Sequence, residues 1–126
     1  MENLKEYFQM LANLSQDEAK SQIAETVSSM GTLSENERMA QTKGLIKTLS
    51  EMPEEVHTKV LKARLEAFSD LSEDILSQML EDGAKAFAEL PNAVLQREKR
   101  LMNQVLPDLS DDAKQLVQKS LEVMGK

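Results

Sequence analysis

Side chains able to do chemistry are sparse in this chain. It has one histidine, His57, and no cysteine, so neither a thiolate metal site nor a cysteine nucleophile can form. A lone histidine lacks the companion ligands a metal needs, and its acidic neighbours Glu54 and Glu55 fall where a helix starts. His57 is therefore expected on an exposed helix face. Asp108, Asp111 and Asp112 cluster, but without the alternating oxygens, central glycine and closing glutamate of a calcium loop. They read as acids placed at the positive end of a helix dipole. Among the 22 acidic residues no pair stands apart for proton transfer, and the glycines occur singly, leaving no loop to cradle phosphate. No catalytic residue, metal site or cofactor is expected, and no enzyme activity.

Two groups invite a binding role instead. Arg97-Glu98-Lys99-Arg100 is the densest basic stretch, and Arg97 and Arg100 each lie 38 residues after Lys59 and Lys62. At that offset the four cations occupy equivalent helix faces, a candidate strip for docking an acidic protein or a phosphate-bearing ligand. The plainer alternative is a solvated face paired with nearby acids. The second group is methionine, with eight in 126 residues. Met10, Met30, Met52, Met79, Met102 and Met124 occupy apolar helix positions, where they either fill a core or line an adaptable groove for a partner helix.

The elements that hold these residues follow from a repeat. An apolar residue followed by Ser or Pro recurs every nineteen residues: Leu14-Ser15, Leu33-Ser34, Met52-Pro53, Leu71-Ser72, Leu90-Pro91 and Leu109-Ser110. In one continuous helix these anchors would advance by about 100° per repeat and spiral around the rod, so no single seam could collect them. Breaking the chain at each anchor lets every segment turn its own stripe inward. Serine caps a helix start, proline tolerates the missing donor there, and acids follow at once in all but the fifth unit. Ser15 with Glu18 and Ser34 with Glu37 match the capping-box spacing. Gly31 reads as a helix stop. Three residues before each anchor stands another large apolar side chain (Leu11, Met30, Leu49, Phe68, Phe87 and Leu106), which should clasp the turn with it.

The composition agrees. Hydrophobic residues make up 40% but aromatics only 3%, and Gly plus Pro total seven, a palette for packed helices rather than sheets. The expected fold is all-α: about seven short antiparallel helices in a single domain spanning 1–126. A partial first unit covers 1–13, with a helix near 2–12, and repeats start near 14, 33, 52, 71, 90 and 109. Short turns predict 38-residue hairpins of consecutive helices, stacked as a small α-solenoid or closed as a compact bundle. The third to fifth units, being most apolar, should form its centre, with the first two and the last near the outside.

A net charge of −7 disfavours nucleic acid. The start of the chain lacks the basic-then-apolar pattern of a secretory leader, and no run approaches eighteen apolar residues, so a cytoplasmic protein off the membrane is expected. The leading functional expectation is a non-enzymatic interaction or scaffold module for another protein or for a second copy of itself. The alternative is a helical bundle that binds a small hydrophobic ligand.

Overall fold

Each of the six anchors closes a turn in the same way. Its backbone N–H donates to the carbonyl three residues earlier: Leu14 to Leu11, Leu33 to Met30, Met52 to Leu49, Leu71 to Phe68, Leu90 to Phe87 and Leu109 to Leu106, all at 3.0–3.2 Å. The two apolar positions expected to clasp each turn are thus joined by a main-chain bond. No described residue has a positive φ, so the turn is built without left-handed backbone and needs no glycine. Gly31 does end a helix, but with φ of −63° rather than in the left-handed form.

The computed structural model describes residues 3–124. It contains α1 (Leu4–Asn13), α2 (Gln16–Met30), α3 (Glu35–Ser50), α4 (Glu54–Ser69), α5 (Glu73–Ala88), α6 (Asn92–Val105) and α7 (Asp111–Met124), with a short 3-10 turn at Leu106–Asp108. The fold is all-α, and no strand occurs among the described residues. None of these helices is long and apolar enough to cross a membrane.

Local chemistry sets the starts. Asn3 accepts from the amides of Lys5 and Glu6 to cap α1. Both expected capping boxes form: Ser15 Oγ accepts from Glu18 N at 3.1 Å and Ser34 Oγ from Glu37 N at 3.2 Å, with each glutamate accepting in return from the serine amide. Ser72 makes no side-chain cap bond, and Pro53 and Pro91 can make none. At α7 the cap is shared across helices. Ser110 Oγ accepts from Ala113 N, while Glu66 on α4 accepts from both the amide and the hydroxyl of Ser110.

Packing departs from the hairpin expectation. Helices two and three apart in the chain lie against each other, whereas consecutive helices touch little. The reason is visible in α4, which is apolar on two sides and so needs partners on both, as a helix buried among others must. Val56, Val60, Ala63 and Ala67 pack with α1 and α2, while Leu61 and Leu65 face α6 and α7. Ala19, Ala63 and Ala67 are all buried where α2 meets α4, the small side chains letting the backbones approach.

The expected gradient of burial also needs correcting. α4 is central, but α2 buries Ala19, Ile23, Val27 and Met30, and α7 buries Ala113, Leu116 and Val117. α5, expected at the centre, leaves Leu76, Met79 and Leu80 only half-buried. Its apolar stripe borders a void as well as both halves of the core.

Candidate functional site

That void is a cavity of about 150 Å³, partly open to solvent, with a predominantly apolar wall. All seven helices contribute to it. From α5 come Met79, Leu80, Gly83, Ala84 and Phe87, a spacing of three and four that puts them on one face. Nothing lies within 4 Å of where a Cβ on Gly83 would stand, so a side chain there would meet open space. From α4 come Val60, Arg64 and Phe68, successive residues of another stripe. The cavity lies on the seam between the two halves of the core. Phe8, Ile23 and Val27 on its wall belong to one half, Leu65 and Met102 to the other. Met30, Met79 and Met102 all reach the wall, so three of the singled-out methionines serve core and cavity together. Met52 is in the core, Met10 is exposed, and the side chain of Met124 lies outside the described residues.

The polar groups on this wall are few. Tyr7 and Thr26 hydroxyls are 2.6 Å apart, and Thr26 Oγ1 donates to the carbonyl of Gln22. Threonine has a single hydroxyl proton, so Tyr7 must be the donor to Thr26. Thr42 and Ser120 also line the cavity. The remaining pair, Arg64 and Glu98, forms part of a buried network.

His57 is where the exposed-face expectation fails: it is 1% exposed, deep in the core. Its Nε2 lies 3.0 Å from Glu98 Oε1, and Arg64 Nη2 donates to Glu98 Oε2. Burial pushes the Glu98 carboxyl up, but the Arg64 charge, with hydrogen bonds from His57 and Arg64, outweighs it and holds the group down at about 2. An ionised carboxylate only accepts, so His57 Nε2 carries the proton of that bond. His57 Nδ1 is buried with no hydrogen-bond partner. The network ties α4 to α6 beside the cavity. His57 lies four residues before Leu61 on the buried stripe of α4, and that position carries it inward despite its polarity.

A second buried acid ties α3 to α5. Asp82 on α5, 2% exposed, accepts from Arg38 Nε of α3 at 2.5 Å and from Gln78 Nε2 at 3.0 Å. Lys43 with Glu89 and Lys85 with Glu35 reinforce the same pair of helices at 2.8 and 4.0 Å.

The candidate basic strip divides. Arg97 Nη2 donates to the carbonyl of Met52 at 2.6 Å, and Arg100 forks onto Glu54 with its two Nη atoms at 3.3 and 2.5 Å. The hydrogen bond from Arg100 holds the Glu54 carboxyl below its ordinary value. Both arginines thus clasp the start of α4. Lys59 is exposed and Lys62 half-buried, and neither makes an ion pair among the described residues. Asp108, Asp111 and Asp112 are exposed around the start of α7.

Arg38, Arg64, Asp82 and Glu98 were missed by sequence reasoning, yet two carried a signal. Glu98 falls four residues after Val94 and three before Leu101, inside the apolar stripe of α6, and Asp82 sits likewise between Met79 and Ala86. A charge on an apolar stripe asks for a buried partner. The cavity itself had no local signal, since it is a product of how all the helices meet.

No family model, curated protein or solved structure matches the chain.

Proposed function

We propose that this chain is a non-enzymatic binding protein that holds a small, mostly apolar molecule in the cavity lined by its seven helices. The observation that carries the reading is the cavity itself: about 150 Å³ of apolar-walled space at the seam of the core. A space of this volume accepts a molecule about as large as benzene. A ligand that fills the space gains by burying its own apolar surface and that of the wall.

Gly83 provides the test. Gly83→Leu projects a side chain into the open space without an initial clash and should close the cavity with the fold intact. Toluene should raise the thermal unfolding midpoint of the wild type and leave that of Gly83→Leu unmoved. If no small apolar molecule shifts the wild type, the reading fails. Native mass spectrometry of freshly purified protein would add a retained ligand mass.

A second reading, an interaction module for an acidic protein or a second copy of the chain, draws on the unpaired Lys59 and Lys62. It also draws on Ile75 and Val123, both exposed on the adjoining helices α5 and α7. Charge reversal of the two lysines should then weaken partner binding, while leaving any small-molecule effect intact.

A further inference from the structure

We infer that the cavity selects uncharged molecules bearing one hydrogen-bond acceptor on an apolar body, and that Arg64 is the residue that reads the acceptor. This deepens the ligand-binding reading and rests on it.

Arg64 stands on the cavity wall one helical turn after Val60 and one before Phe68. Its planar head carries five N–H donors, and its hydrogen bond among the described residues is the single one from Nη2 to Glu98. The side chain keeps 21% of its surface exposed, whereas Glu98 keeps 4%. Arg64 is therefore the more accessible member of the pair, and its guanidinium has donors to spare. Both oxygens of Glu98 are already engaged, by His57 and by Arg64. A ligand acceptor can meet Arg64, whereas a ligand donor would have to reach the deeply buried Glu98, whose two oxygens each already accept a bond.

Charge decides between ligand classes. Arg64 and the ionised Glu98 sum to zero, so the wall offers directed donors without net charge. A carboxylate would be desolvated on entry, and its attraction to Arg64 would be opposed by Glu98 just behind it. An ammonium would meet the arginine first and be repelled. A carbonyl or ether oxygen gains the charge-assisted hydrogen bond and loses little solvation. The rest of the wall supplies the apolar share, with Met30, Met79 and Met102 able to adjust to shape.

Four probes of similar size separate these cases: acetophenone, ethylbenzene, benzoate and benzylammonium. Each is titrated into wild-type protein by NMR at neutral pH. Acetophenone should bind tightest, with ethylbenzene several-fold weaker and both ions at least roughly tenfold weaker. The double variant Arg64→Met/Glu98→Met keeps volume and charge balance while removing the donors. In it, the advantage of acetophenone over ethylbenzene should vanish although both still bind. Persistence of that advantage would transfer the role to Thr42 or Ser120 and overturn the assignment of Arg64. Equal binding of acetophenone and ethylbenzene to the wild type, or tighter binding of benzoate, overturns the selectivity itself. Ethylbenzene binding alone would leave the cavity reading standing. Failure of all four would remove both, and the wild-type comparison decides this even if the double variant does not fold.

Discussion

Glu98 lies 3% exposed between His57 and Arg64, and its charge is kept by those two donors alone. Removing the charge leaves Arg64 without its counter-charge, so Glu98→Gln is expected to destabilise by roughly 3 kcal/mol. Replacing both partners by Met leaves no unpaired charge but takes the acceptor from buried His57 Nε2, so its cost should be smaller, about 1–2 kcal/mol. Urea unfolding of the three proteins checks the contrast. The same carboxyl makes stability depend on acid. Its folded value of about 2 lies below the ordinary 4.5, so its contribution is complete above pH 4.5 and fades as pH falls toward 2. Glu98→Gln should flatten the urea midpoint across that window. This site was half legible in the sequence: the position of Glu98 on an apolar stripe demanded a partner, but its partners lie 34 and 41 residues away, and nothing local named them.

At the level of helices, serine caps are not interchangeable. Ser15 and Ser34 make reciprocal boxes, so Ser15→Ala and Ser34→Ala should each cost about 1 kcal/mol. Ser72 makes no cap bond, and Ser72→Ala should stay within a few tenths of that scale's zero in the same urea measurement. Gly83→Ala should stabilise α5 by up to about 1 kcal/mol, since the new methyl meets nothing. Gly31→Ala should gain less, because its Cβ would come 3.3 Å from the Ser28 carbonyl. Helix limits were readable because caps, acids and prolines act within one turn. Which helices pair was not, because that depends on the direction in which each turn releases the chain. The dipeptide Leu71-Ser72 announces a helix start as clearly as Leu14-Ser15, yet neither says that α5 will lie on α3.

Across the whole molecule, the cavity should show in volume as well as in binding. Unfolding releases internal void, so pressure favours the unfolded chain. Filling the space by Gly83→Leu should reduce the magnitude of the unfolding volume change, measured by NMR under pressure. An unchanged volume would mean that the leucine had turned away from the void. The all-α class was legible from composition and period. The void was not, because it arises where stripes from seven helices, each locally regular, fail to meet at one place.

The pairing of helices two and three apart bears on how the chain acquires its structure. A chain of hairpins can assemble from either end, each new helix docking on the last. Here α2 finds its main partner only when α4 exists, and α4 in turn waits for α6 and α7. Isolated helices of ten to sixteen residues are marginal in water, so the early ones have little to hold them while they wait. Contacts of such long sequence separation also slow the search relative to a local bundle. A fragment of residues 1–50 should accordingly give much less far-ultraviolet helix signal per residue than the full chain. Synthesis must pass the middle of the protein before its beginning can settle.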